Sequence, residues 1–209
     1  MKFEKLRHYL ASYPIFSTLD VRKWFPEERA EALKVLLSLW VKKGRLKKIR
    51  RDLFWFSEVA IQDHFFLADK LIHHSYISLE SALNYYSIIP DVPFSVTCVT
   101  QLTTRVFETP LGRFSFRHTK KEHVFGWKTV ESADRIFFYR IASPEKALVD
   151  FVYFNLTRFV DVVDFTEERF SFGQDFRWRK VNEFAKIFNH QRLLAVMKRL
   201  YRFYEHTSV

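Results

Sequence analysis

Apolar residues Phe3, Leu6, Tyr9 and Leu10 recur at helical spacing and predict a first helix from Phe3 to Tyr13, closed by Pro14. Ser17 and Thr18 stand where an N-cap oxygen is needed, ahead of a short second helix through Val21 and Trp24. Pro26 opens a third helix, on which Leu33, Leu36, Leu37, Trp40 and Val41 form one buried stripe, and Gly44 supplies the left-handed stop. Two short runs follow, Leu46–Arg50 and Leu53–Phe56, separated by Arg51-Asp52, and they read as a β-hairpin. Three helices and then a two-stranded wing is the order of a winged helix-turn-helix.

The pattern changes after residue 60. A helix is expected from about Asp63 to His73, and Ser78 caps another that runs from Leu79 through Tyr85-Tyr86 toward Pro90. Phe94, Val96 and Cys98 alternate with Ser95 and Thr97, which predicts a half-buried strand ending at Thr100. Arg105–Thr109 and Arg113–His118 flank the turn Pro110-Leu111-Gly112, with Phe114 and Phe116 pointing inward. Ile136–Ile141 reads as a further strand. Ser143-Pro144-Glu145 then opens a helix with Ala147, Leu148, Phe151 and Val152 on its buried face, and 181–188 and 191–204 close the chain as two helices. The fold class is α+β: a winged helix-turn-helix over residues 1–60, then a mixed α/β domain over 61–209, with the boundary near Glu58–Asp63.

A hydrophobic share of 48% and an aromatic share of 18% supply real cores and exclude a disordered chain. Four dispersed glycines leave no Gly-rich phosphate cradle, and Cys98, as the single cysteine, excludes an internal disulfide and a Cys-rich zinc site. No apolar run approaches the roughly 18 residues of a membrane span. These features predict a soluble cytoplasmic protein, without cofactor or metal and not associated with a membrane. Neither His73-His74 nor His118 with His123 has the spacing of paired ligands on one helix face, and no Gly-flanked nucleophile elbow is present. Ser143-Pro144-Glu145-Lys146 with Asp150 is explained by a capped helix start whose acid faces the positive dipole end, so no enzyme activity is expected.

Charge narrows the picture further. The net charge is +10, and residues 1–57 hold fourteen Lys/Arg against six Asp/Glu while the rest hold twenty against eighteen. Lys42, Lys43, Arg45, Lys47, Lys48, Arg50 and Arg51 set seven cations within ten residues. Each that meets a phosphate releases condensed counterions, which makes double-stranded DNA the expected partner. Lys34 and Ser38 belong to the helix that would lie in the major groove, and Arg22, Lys23 and Arg29 suit phosphate contacts beside it. Glu27, Glu28 and Glu31 give that helix an acidic start, compatible with the helix dipole or with cytosine N4. A second patch, Arg105, Arg113, Arg117, Lys120 and Lys121, would line one exposed sheet face. The aromatic crowding from Phe151 to Phe176 is either core or, where contiguous and exposed, a protein-binding surface.

Three stretches also resemble the AbiEi-type antitoxins and related regulators of type IV toxin–antitoxin systems. The first is Trp40-Val41-Lys42-Lys43-Gly44-Arg45-Leu46 with Ile49-Arg50-Arg51 and Phe54. The second is Ile77-Ser78-Leu79-Glu80-Ser81-Ala82-Leu83 through Ile89-Pro90, followed by Val99-Thr100, Thr104-Arg105-Val106-Phe107 and Thr109-Pro110-Leu111-Gly112-Arg113-Phe114. The third is Ile141-Ala142-Ser143-Pro144-Glu145-Lys146-Ala147-Leu148-Val149-Asp150. Asp52 stands where the wing turn of that family often has glycine. The resemblance implies a winged helix that binds its own promoter and a second domain that opposes a nucleotidyltransferase-type toxin. The expectation is therefore a DNA-binding transcriptional regulator and antitoxin; the alternative is a protein-interaction module whose winged helix does not read DNA.

Overall fold

The computed structural model describes residues 1–61, 63–133, 135, 137–160 and 163–207. It is a mixed α/β protein that divides into two compact units at residues 62 and 63, with Thr109–Leu111 assigned to the first. The first unit runs α1 (Phe3–Tyr9), β1 (Ile15–Ser17), α2 (Thr18–Trp24), α3 (Ala30–Lys42), β2 (Leu46–Arg50) and β3 (Leu53–Phe56). Its three strands form an antiparallel sheet in the order β1-β3-β2.

Two boundaries differ from the periodicity, each for a local reason. α1 stops at Tyr9 rather than Tyr13, and after Pro14 the chain turns extended so that Ile15 and Phe16 pair with Trp55 and Phe54. That strand, β1, is invisible as a pattern because three residues are too few to alternate. Pro26 does not open α3. The Glu28 amide donates to the Phe25 carbonyl at 3.2 Å, so Pro26 takes the second position of a β-turn and the helix starts at Ala30. The start of α2 is as expected: the Ser17 hydroxyl accepts from the Asp20 amide at 3.1 Å and the Asp20 carboxylate accepts from the Ser17 amide at 2.8 Å, a reciprocal capping box. Leu6, Leu10, Phe16, Val21, Phe25, Leu33, Leu37, Trp40, Leu46, Phe54 and Phe56 make the core of this unit.

The second unit contains α4 (Leu67–Leu71), β4 (Tyr76–Ile77), α5 (Leu79–Tyr85), β5 (Val96–Thr100), β6 (Arg105–Thr109), β7 (Gly112–His118), β8 (Trp127–Glu131), β9 (Phe138–Ala142), α6 (Pro144–Phe154), α7 (Val163–Glu167), α8 (Trp178–Ile187) and α9 (Gln191–Thr207). Its six-stranded sheet has the order β6-β7-β5-β4-β9-β8 and is mixed, with β5–β7 and β4–β9 parallel and β4–β5 and β8–β9 antiparallel. One row across it, Ile141, Ile77, Cys98 and Phe116, is fully buried and marks the centre of the core.

The predicted helix over 63–73 contracts to five residues, while β4, β8 and α7 appear where no pattern predicted them. Phe94 is 89% exposed rather than inward-facing, since β5 begins only at Val96, and Val99 and Thr100 are both buried, so the second half of the strand has no solvated face. Ile136, in the strand predicted over 136–141, lies outside the described residues. The aromatic segment is interior where it is most crowded: Phe151, Phe159, Phe165 and Phe170 are buried, with Phe151 edge-on to both Phe159 and Phe170 and Phe159 stacked on Phe165.

Candidate nucleic-acid interface

The basic hairpin is built by a spacing conflict. Leu46 and Ile49 are three residues apart, so a regular strand would put them on opposite faces. Both are buried, because the register slips between Lys48 and Arg50: Lys48 pairs with Phe54 and Arg50 with Leu53, leaving Ile49 as the extra residue of a β-bulge. The bulge sends both aliphatic side chains inward and leaves Lys47, Lys48 and Arg50 outside. At the tip Arg51 is 94% exposed. Asp52 adopts φ +58°, the left-handed turn geometry that glycine would otherwise supply. Its carboxylate accepts from the Thr18 hydroxyl at 3.3 Å and its carbonyl from the Thr18 amide at 3.4 Å, which ties the tip to the start of α2.

All seven cations from Lys42 to Arg51 are exposed, and they are not equivalent. The Arg45 guanidinium lies over the Phe3 ring at 4.9 Å and 3.4 Å from Glu4, so it is engaged with α1. The Lys47 ammonium sits 4.9 Å from the ring centre of its cross-strand partner Trp55. Arg51 has only a 3.8 Å contact with the neighbouring Asp52, an exposed pairing worth little. Lys42, Lys43 and Lys48 have no carboxylate partner among the described residues.

On α3 the buried line Leu33, Leu37 and Trp40 leaves Glu31, Val35, Ser38 and Lys42 on the opposite side, flanked by Lys34 and Leu39, all exposed. Glu27 and Glu28 are not on this helix at all, since they lie in the turn before it; only Glu31 remains of the acidic start. The reading by charge overlooked Val35, which is 68% exposed at mid-helix. Its signal is its angle, about half a turn from the buried stripe. Arg22 and Lys23 occupy the last turn of α2, with Lys23 3.4 Å from Asp20, and Arg29 directly precedes α3.

The second basic patch does not form one face. Arg105 lies over the Phe107 ring, and Phe107 packs edge-on against the buried Phe116, so Arg105 and Phe107 share the inward side of the hairpin. Arg113 pairs with Glu108 at 3.3 Å on the other side, in phase with Arg117. Strand alternation thus splits the set: Arg113 and Arg117 go together, Arg105 does not, and Lys120 and Lys121 follow β7 at the start of a short 3-10 turn.

The structure also assembles a polar cluster that the capping explanation missed. Lys146 and Asp150, one helical turn apart on α6, form an ion pair with side chains 0% and 1% exposed. The Lys146 ammonium also donates to the Tyr76 hydroxyl at 3.0 Å, and the Asp150 carboxylate accepts from Tyr76 at 3.0 Å and from Ser78 at 2.8 Å. Ser78 therefore stands at the N-cap position of α5 without capping it, because the ionised acceptor takes its hydroxyl. Thr97 replaces it, its Oγ1 accepting from the Ser81 amide at 3.0 Å. Burial pulls the Lys146 ammonium below the usual lysine range, although Asp150 acts the other way; burial and then the Asp150 charge push the Tyr76 phenol well up. Gly126, at φ +71°, lets the chain pass the lysine stem: a Cβ there would meet Lys146 Cγ at 3.1 Å. These are the residue types of acid–base chemistry, but the cluster is closed to solvent, and what it accomplishes is internal neutralisation.

No cluster of three or more metal-ligating side chains occurs among the described residues, and no described helix is long and apolar enough to cross a membrane. Comparison of the sequence with protein-family models and with curated proteins finds no match.

Proposed function

We propose that the chain is a DNA-binding transcriptional regulator. In this reading residues 1–60 form a winged helix-turn-helix, and the whole chain is the antitoxin of a type IV toxin–antitoxin system, cytoplasmic, repressing its own operon and opposing a nucleotidyltransferase-type toxin. The observation that carries it is the outward row Lys47, Lys48, Arg50 and Arg51 on a bulged hairpin, following the order helix, strand, helix, helix, strand, strand. A row of exposed cations on a rigid wing suits phosphates, and α3 supplies Lys34, Ser38 and Lys42 for the groove. The resemblance to AbiEi-type antitoxins supports the second half of the reading.

Affinity for a duplex carrying the upstream promoter should fall linearly with log salt, with a slope of about −0.9 per phosphate neutralised. Changing Arg50 and Arg51 together to alanine should flatten that slope. A wild-type slope near zero overturns the reading.

A second reading has its own observation. Val35 and Leu39 are exposed one turn apart on α3, which suits an apolar partner surface as well as thymine methyl groups. As a protein-interaction module the chain would retain a nucleotidyltransferase in a pull-down after the wing cations are removed, and lose it in Val35→Asp.

A further inference from the structure

The net charge of the chain past residue 57 conceals two opposite regions. Residues 58–176 hold twelve Lys/Arg against sixteen Asp/Glu, while residues 177–207, which cover α8 and α9, hold eight against two. This second cationic concentration borders a groove of about 670 Å³ between α8 and α9. Trp178 and Val181 of α8 and Leu194, Met197 and Tyr201 of α9 supply its apolar surface. Arg179, Lys186 and Lys198 stand on the rim, all exposed. Arg179 shares its charge with Glu183 at 3.0 Å, whereas Lys186 and Lys198 have no carboxylate partner among the described residues.

We infer that this groove docks an amphipathic acidic helix from a partner protein. Three features select that occupant. The lining positions 194, 197, 198 and 201 on α9 follow the i, i+3, i+4, i+7 spacing by which one helix receives another. Arg179 and Lys186 are seven residues apart on α8, about 10 Å along the axis, so the rim matches carboxylates two turns apart on a helix rather than a single anionic head group. The rim lysines Lys186 and Lys198, without a carboxylate partner among the described residues, favour a partner with acidic flanks. A nucleic acid fits less well. Trp178 meets Phe172, Phe176 and Tyr201 edge-on, so its ring is not an open stacking platform, and Tyr201 is the one other aromatic residue of the lining.

This inference goes beyond the DNA-binding reading and is independent of it, since α8 and α9 contain none of the wing cations. The test uses the full-length protein and a fluorescein-labelled 18-residue synthetic helix, of about five turns, with leucines at i, i+3, i+4 and i+7 and glutamates elsewhere. Two controls accompany it: the same helix with lysines for glutamates, and a scrambled peptide of the acidic composition. Fluorescence anisotropy should show saturable binding of the acidic helix alone. The double variant Lys186→Glu/Lys198→Glu should weaken it at least tenfold, with an unchanged far-UV circular dichroism spectrum because both side chains are exposed. Absence of binding, equal binding of either control, or an affinity unchanged in the double variant overturns the proposal. So does complete displacement of the peptide by a single-stranded 20-nucleotide DNA from a protein carrying Arg50→Ala/Arg51→Ala, which would assign the groove to nucleic acid.

Discussion

In the first unit Lys47, Lys48, Arg50 and Arg51 stand exposed outside a hydrophobic core; in the second, Lys146 sits at the centre of a core and is met by the Asp150 carboxylate and the Tyr76 hydroxyl. The physics of the two placements is opposite. A cation in water costs nothing to leave unpaired and remains available to an external polyanion, while a cation out of water is stable only with its counter-charge and hydrogen bonds in place. Removing charge should therefore change binding in one region and folding in the other.

Asp150→Ala presents the largest contrast. It leaves the Lys146 ammonium buried with only Tyr76 as a polar partner, and the expected loss is about 3–5 kcal/mol in the urea unfolding of the full chain. Lys146→Met with Asp150→Leu removes both charges and should recover part of that loss, because no unpaired charge stays buried although the Tyr76 and Ser78 hydroxyls lose their partner. If the single and double variants unfold alike, the pairing is not what holds the cluster. Gly126→Ala ranks next. An alanine at φ +71° costs about 1–2 kcal/mol, and its Cβ would also press on the Lys146 stem.

The same contrast explains what could be seen in the sequence. The basic hairpin was legible because its signals are local, two short runs around Arg51-Asp52 and seven clustered cations, whereas the bulge that turns both Leu46 and Ile49 inward was not expected. The capping of α2 and α6 was equally local, with Ser17 and Ser143 each accepting from an amide three residues on. The buried cluster was not legible, because Tyr76 and Ser78 lie more than seventy residues from Asp150 and only the sheet brings β4 to α6. Its one local trace, Lys146 and Asp150 at i, i+4, is also the signature of an ordinary solvated helix pair. Short strands such as β1 and β4 escaped for a related reason. Two or three residues carry no period, and their partners, β3 and β9, are distant in the chain. On α3 the weight given to charge selected Lys34 and Ser38 and passed over Val35, although angle alone places Val35 on the outermost line.

Ser17→Ala tests the polar frame of the first unit on a smaller scale. Loss of the capping box should cost about 1 kcal/mol near neutral pH, read by thermal or urea unfolding. Burial raises the Asp20 carboxyl, but its bonds to the Ser17 hydroxyl and amide outweigh that and hold it below the ordinary 3.8. A lowered folded value gives stability that is present above pH 3.8 and is lost as pH falls through the folded value. The gap between wild type and Ser17→Ala should therefore narrow below that pH. A gap that stays constant into acid would mean that Asp20 is not the partner through which the serine acts.

Lys48→Ala and Lys47→Ala bring the smallest effects on folding and so probe the comparison most finely. Lys48 is exposed and pairs across the strands with Phe54 without any carboxylate, so its removal should leave the unfolding midpoint unchanged, within the roughly 0.5 kcal/mol typical of surface substitutions. Lys47 lies over Trp55 and should cost slightly more, of the order of the 0.5–1 kcal/mol of an exposed cation–π contact. Each variant that removes a phosphate contact should also lower the salt slope of promoter binding by about 0.9. Measured together, the two lysines separate the terms. A slope change without a midpoint change, at Lys48, is the behaviour of a charge that serves an external partner, and a midpoint change without a slope change, at Lys47, is that of a charge retained for the ring beneath it. Slopes unaltered in both variants would remove the two lysines from the proposed contact and leave Arg50, Arg51 and α3 to carry any contact with DNA.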